Sequence, residues 1–113
     1  MQTVSILKNA PITVNGCKCV IKAELVTLRS LVIDVYVSKR RGQSVKSNWK
    51  MSFPLDEQPL DYARFYKVID TAELPSYATP SDVYFYVKNN FTCEKYVNLD
   101  NNNCSKELLI ILS

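Results

Sequence analysis

The segment Leu31-Val32-Ile33-Asp34-Val35-Tyr36-Val37-Ser38 decides the fold class of this chain. It is rich in Val, Ile and Tyr, the side chains that pack best on a pleated sheet, and Asp34 is its only charge. We therefore expect Leu31–Ser38 to be a central strand.

Working outward from this strand, turn signals separate further strand-like runs. Asn15-Gly16 is a strong hairpin dipeptide between Ile12–Val14 and the run Cys19–Leu28. The other predicted strands are Thr3–Leu7, Met51–Leu55, Asp82–Lys88, Phe91–Leu99 and Glu107–Leu112. The predicted core consists of Ile21, Leu25, Ile33, Val35, Val37 and the strand Leu108–Leu112. This pattern predicts a single mainly β domain over residues 1–113, a small antiparallel barrel or sandwich with a β-hairpin wing and room for one helix.

The segment Pro59–Leu74 is the place where we expect that helix. Tyr62, Phe65, Tyr66 and Ile69 recur at helical spacing, and Pro59 suits the first position of a helix.

The twelve residues 39–50 carry five positive charges and no negative ones. They lie between two predicted strands and are expected to form the exposed tip of the hairpin wing. The charge is also uneven along the chain. Residues 1–50 hold nine Lys/Arg and two Asp/Glu (9 − 2 = +7), and residues 51–113 hold five and nine (5 − 9 = −4). This asymmetry favours one basic face; alternatively, folding mixes the halves and the tip is simply solvated.

The chain lacks the residues and motifs of common catalytic sites. It contains no histidine, no glycine-rich phosphate loop and no Gly-x-Ser-x-Gly motif. We therefore expect no enzymatic activity, no cofactor and no small-molecule substrate. No secretory signal or membrane-spanning run is visible, so a cytoplasmic location is the expectation.

Four cysteines are present: Cys17, Cys19, Cys93 and Cys104. Without a secretory signal they are expected to be free thiols. A zinc site made of all four is the alternative, but the Cys17-x-Cys19 spacing is tighter than in the usual structural sites, so we expect no metal.

The basic stretch is suited to single-stranded nucleic acid. Lysines and arginines bind phosphates with release of counterions, and aromatic rings stack on unpaired bases. The predicted nucleic-acid-binding residues are Lys39, Arg40, Arg41, Lys46, Trp49 and Lys50, with Tyr36 on the preceding strand. One ring of Tyr84-Phe85-Tyr86 is a further stacking candidate, although aromatic side chains more often belong to a core.

Two segments resemble the single-stranded-DNA-binding proteins of filamentous phages, the gene V type. Val37–Gln43 is similar to their basic DNA-binding wing, and Leu55–Pro59, Tyr62-Ala63 and Tyr66-Lys67-Val68 are similar to their Leu-Asp-Glu-Gly-Gln-Pro-x-Tyr-Ala segment and the Tyr-x-Val that follows it. The chain departs from that pattern because the glycine of the Leu-Asp-Glu segment and a later Pro-Gly are missing.

The resemblance implies a five-stranded OB-like barrel and a homodimer that coats single-stranded DNA during phage replication in the host cytoplasm. It also implies that Arg40 and Arg41 lie in the wing. Other interpretations stay open: binding of RNA, a small viral or bacterial inhibitor or immunity protein that binds a protein partner, or a structural subunit that assembles through edge strands.

Overall fold

The computed structural model describes residues 3–40, 42–52 and 62–97. The strands are β1 (Val4–Val14), β2 (Cys17–Leu25), β3 (Ser30–Ser38), β4 (Gln43–Ser47), β5 (Lys50–Met51), β6 (Tyr62–Asp70) and β7 (Cys93–Val97); α1 spans Pro80–Asn90, and a short 3₁₀ turn spans Thr71–Glu73. Strands make up 59% of the described residues, so the predicted mainly β class is confirmed.

The described strands form two antiparallel sheets. One has five strands in the order β1-β2-β3-β6-β5, and the other pairs β4 with β7. The five-stranded sheet is open among the described residues, because β1 and β5 are its two edges rather than partners. One of its faces packs on the aromatic side chains beside β4 and α1, and the other face presents the site described below.

The central strand is confirmed. β3 pairs with β2 on one side and β6 on the other, and Leu31, Ile33, Val35 and Val37 alternate along its buried face with no exposed surface. Ile21 of β2 is equally buried, whereas Leu25 only packs against the edge of the core. The predicted strands Leu108–Leu112 and Glu107–Leu112 lie outside the described residues.

The predicted hairpin at Asn15-Gly16 is also confirmed. Both residues have positive φ, 50° and 80°, as a two-residue hairpin loop needs for its twist to match that of the strands. The runs Thr3–Leu7 and Ile12–Val14 are one strand, β1, whose register with β2 shifts between Leu7 and Ala10 near the positive φ of Asn9. Pro11 is tolerated because β1 is an edge strand.

The prediction of a helix over Pro59–Leu74 is wrong for residues 62–70, which are described and precede the 3₁₀ turn. Residues 62–70 form β6, and Ala63, Phe65 and Ile69 are buried at a spacing of two. Lys67 occupies the remaining position of this alternation and is a half-buried polar residue among apolar ones. The packing of β6 against β3 outweighs the helical spacing of the aromatic side chains, because a strand in that place buries Phe65 in the core.

The strand predicted over Asp82–Lys88 is wrong as well, since this segment is the middle of α1. The Thr79 side chain accepts a hydrogen bond from the Asp82 N–H at 3.2 Å, and Pro80 occupies the first turn. Val83 and Val87, four residues apart, are fully buried on one side of the helix. These local signals outweigh the β propensity of Tyr84-Phe85-Tyr86.

Residues 39–50 differ from the predicted hairpin tip. A turn closed by a 3.0 Å hydrogen bond from the Gln43 N–H to the Arg40 carbonyl leads into β4, which pairs with β7 instead of with a neighbour of β3. β7 lies within the predicted strand Phe91–Leu99. Of the described residues of the predicted strand Met51–Leu55, Met51 alone is in a strand, as the last residue of β5. In the parts of the chain that the structure describes, no helix is long and apolar enough to cross a membrane.

Candidate nucleic-acid interface

Every second residue of β6 projects from the outer face of the five-stranded sheet. Since side chains alternate along a strand, Tyr62, Arg64 and Tyr66 share one face while Ala63 and Phe65 lie in the core. We call these three outward residues the β6 track. At about 3.3 Å per residue, Tyr62 and Tyr66 are about 13 Å apart along the strand.

An ion pair fixes the middle of the β6 track. The Arg64 Nε donates a hydrogen bond to the Asp34 Oδ1 at 3.1 Å, and a second guanidinium nitrogen lies 3.1 Å from the same oxygen. Asp34 is only 8% exposed, and the Arg64 guanidinium carbon lies 5.4 Å from the centre of the Tyr36 ring. The carboxylate neutralises much of the arginine charge, so Arg64 is better suited to offer a planar stacking surface than to neutralise a phosphate.

The strands next to β6 add residues of the same chemistry to the track. Tyr36 on β3 is paired in register with Arg64, and Lys50 on β5 is paired with Tyr66. Tyr36 is half-buried, Lys50 is exposed, and Tyr62 is 39% exposed. Two of the predicted site residues, Tyr36 and Lys50, therefore lie on one surface with tyrosines that the sequence analysis did not select.

Two of the grooves that border the β6 track have no acidic residue among the described residues that line them. One groove, of about 360 Å³, runs between Tyr62 and Arg64 on one side and Lys39 and Gln43 on the other. We call it the Lys39 groove. The second, the Trp49 groove of about 460 Å³, is lined by Asn48, Trp49, Lys50, Tyr66, Lys67 and Val68. The Trp49 groove thus combines aromatic rings with two lysines, and the Lys39 groove combines Tyr62 with Lys39 and the ion-paired Arg64. Rings beside cations are typical of sites that bind single-stranded nucleic acid.

Trp49 is present at this surface but does not have the role predicted for it. It is only 7% exposed, and its ring packs edge-on against Phe91 with centroids 5.1 Å apart. The Lys67 Nζ covers it at 5.8 Å. Its indole N–H is buried without a hydrogen-bond partner among the described residues. The expectation that Trp49 stacks on a base is corrected, because the ring belongs to the core.

Lys67 lines the Trp49 groove and lies close to two rings. Its Nζ lies 5.5 Å from the centre of the Tyr86 ring as well as above Trp49. The hydrogen bond with Tyr86 raises the pKa of Lys67, so this cation stays charged through neutral pH.

The remaining predicted site residues are dispersed. Lys39 lines the groove named after it, and Arg40 is exposed in the adjoining turn, with its backbone N–H bonded to the Gln43 side chain at 2.6 Å. Lys46 lies on the two-stranded sheet, where it is paired in register with Glu94 and its Nζ is 5.4 Å from the centre of the Tyr96 ring. Arg41 lies outside the described residues.

The missed residues carried a signal in the sequence. Tyr62, Arg64 and Tyr66 alternate with Ala63 and Phe65, the pattern of a strand with one buried face. The helical interpretation of this segment assigned Tyr62, Phe65 and Tyr66 to one apolar face, which concealed the outward tyrosines. Conversely, Tyr84, a stacking candidate as part of a strand, lies on α1 in edge contact with Phe85 at 5.7 Å.

Cys17, Cys19 and Cys93 are buried free thiols, and Cys104 lies outside the described residues. Within residues 3–40, 42–52 and 62–97, no group of Cys, Asp or Glu side chains is arranged to hold a metal ion.

No protein-family model, curated protein or solved structure matches this chain. The resemblance to the gene V type proteins and the homodimer that it implies therefore stay predictions.

Proposed function

We propose that the protein binds single-stranded nucleic acid along the β6 track, without base specificity. The observation that carries the proposal is the alternation of Tyr62, Arg64 and Tyr66 on an outer sheet face, with a cation-lined groove beside each tyrosine. Rings and a planar guanidinium stack on any base, since every base has a π-face, and so they confer affinity without reading sequence.

The dimensions of the β6 track set the length of strand that it holds. The 13 Å between the two tyrosines corresponds to about four nucleotides at a stacked rise of 3.4 Å. We expect Lys39 at one end and Lys50 at the other to contact the sugar-phosphate backbone where it enters and leaves the β6 track. The expected site size is therefore about four to six nucleotides, within the range of a small β domain that binds single strands.

The proposal is tested by titrating a fluorescently labelled oligo-dT with the protein at several salt concentrations and following anisotropy. Tyr66→Ala removes a stacking ring and is expected to weaken binding by roughly 1–3 kcal/mol with little change in the salt dependence. Lys50→Gln removes a phosphate contact and is expected to lower the slope of log affinity against log salt by about 0.7.

Matched controls use residues of the same type outside the β6 track. Phe85→Ala removes a ring that is 56% exposed on α1, and Lys8→Gln removes an exposed charge from β1. Neither change is expected to alter affinity. The proposal fails if the parent protein shows no affinity for the oligonucleotide at low salt, or if the control variants weaken binding as much as Tyr66→Ala and Lys50→Gln do.

A further inference from the structure

Three cysteines from two sheets meet in the core. Cys17 and Cys19 point to the same side of β2 because they are two residues apart, and Cys93 is the first residue of β7. The Cys93 thiol donates to the Val14 carbonyl at 3.7 Å, and Val14 is the register partner of Cys17. Cys93 also lies close enough to Cys17 and Cys19 for the three thiols to influence one another's pKa. It is therefore the shared neighbour of the two β2 thiols.

Two of these thiols border solvent-connected space. Cys19 forms part of the wall of a cleft of about 650 Å³ whose lining includes Lys18 and Lys88. Cys93 borders a separate cleft of about 340 Å³. Although the residues themselves are 4% exposed, a small oxidant can therefore approach them without separation of the two sheets.

The surroundings of the three thiols differ, and the differences set an order of reactivity. The hydrogen bond with Cys93 lowers the pKa of Cys19, whereas burial raises the pKa of Cys17 to about 11. The pKa of Cys93 is raised, first by its hydrogen bond to Cys19 and then by burial. Because the thiolate is the reactive form and Cys19 also borders the larger cleft, Cys19 is expected to react before Cys17, which borders neither cleft. A thiol with a lowered pKa beside a second cysteine is the arrangement found in redox-sensitive pairs.

We infer that Cys19 and Cys93 form a reversible disulfide when the folded protein meets hydrogen peroxide, joining β2 of the five-stranded sheet to β7 of the two-stranded sheet. In the first step the Cys19 thiolate attacks a peroxide oxygen, the O–O bond breaks, and a sulfenic acid and hydroxide result. In the second step the Cys93 sulfur attacks the Cys19 sulfur, so that an S–S bond forms and the S–O bond of the sulfenic acid breaks. The departing hydroxyl group takes up the Cys93 proton and leaves as water. The sum is two thiols and one peroxide giving one disulfide and two waters. This inference does not rest on nucleic-acid binding.

The chain sequence makes the linkage easy to identify. Trypsin cleaves after Lys18, Lys22, Lys88 and Lys95, which places each cysteine on a different peptide. After treatment of the native protein with peroxide, the intact mass is expected to fall by two hydrogens. The peptides 19–22 and 89–95 are expected to be linked, and dithiothreitol is expected to separate them.

Two variants and a labelling experiment complete the test. Cys17→Ser is expected to keep the linkage and Cys93→Ser to lose it. If Cys93→Ser does not fold, the order of labelling decides instead: under native conditions near neutral pH, iodoacetamide is expected to modify Cys19 before Cys17 and Cys93. The disulfide closes a long loop and is expected to raise Tm by about 10 °C or more.

A linkage that contains Cys17 or Cys104, a disulfide only between two chains, or an unchanged intact mass would overturn the inference. Labelling of Cys17 ahead of Cys19 would overturn the proposed order of reaction.

Discussion

The ion pair beneath the β6 track predicts an asymmetric response to the loss of its two members. Asp34 is 8% exposed, whereas the Arg64 side chain keeps 32% of its surface in contact with solvent. Arg64→Met leaves a buried carboxylate without its partner, while Asp34→Asn leaves a guanidinium that water still reaches. We therefore expect Arg64→Met to destabilise the protein more than Asp34→Asn does.

The magnitudes follow from the burial of each group. Removing one member of a fully buried pair costs about 3–5 kcal/mol. Lys22 is paired in register with Asp34 and offsets part of that cost, so we expect about 2–3 kcal/mol for Arg64→Met. Asp34→Asn keeps an amide oxygen as acceptor and lets the guanidinium hydrate, which reduces the expected cost to about 1 kcal/mol.

Urea denaturation followed by the emission of the buried Trp49 measures both variants and their double variant. The double variant no longer holds an unpaired carboxylate, so its loss is expected to be smaller than the sum of the single losses by about 1 kcal/mol or more. Equal losses in the two single variants, a larger loss in Asp34→Asn, or simple additivity would refute this account of the ion pair.

Three further predictions concern the helix, the core and the thiols. Thr79→Ala removes the side-chain oxygen that caps α1 and is expected to lower the free energy of unfolding by about 1 kcal/mol in urea denaturation. Phe91→Ala is expected to cost about 3–5 kcal/mol in the same assay, because its ring is 1% exposed and contacts the rings of Trp49 and Phe65. Folding raises the pKa of the Cys17 thiol from 9.0 to about 11, so this thiol ionises at lower pH in the unfolded chain than in the folded one. The difference in free energy of unfolding between the parent and Cys17→Ser is therefore expected to be constant below about pH 9. Above that pH, the stability of the parent is expected to fall relative to Cys17→Ser as the pH rises towards 11.

Control variants and the results that would contradict these three predictions are as follows. Ser81→Ala, at an exposed position inside α1, is the control for the cap, and an equal loss there would contradict the role of Thr79. Phe85→Ala is the control for the core ring and is expected to stay within about 0.5 kcal/mol of the parent. An alkaline stability profile identical in the parent and Cys17→Ser would contradict the raised pKa of that thiol.

The mainly β class, the Asn15-Gly16 hairpin and the central strand can all be predicted from the sequence. These features rest on local chemistry: positive φ at two residues suits Asn and Gly, and a run of β-branched side chains packs well only in a sheet. The buried positions of β3 follow from the same alternation. The nucleic-acid hypothesis also originated in the sequence. Of its predicted residues that the structure describes, Lys39, Lys50 and Tyr36 border the β6 track or its grooves, and Trp49 does so with a buried ring.

The secondary structure of residues 62–70 depends on tertiary contacts. Their aromatic side chains fit a helix and a strand almost equally well, and pairing with β3 selects the strand because it buries Phe65 against Phe91. For residues 80–90, the β propensity of the three aromatic residues predicted a strand, whereas the cap at Thr79 and Pro80 in the first turn favour the helix that forms. The burial of Trp49 likewise depends on tertiary contacts. A tryptophan in a basic stretch suggests an exposed ring, and only the packing of Phe91 and Lys67 around it makes it part of the core.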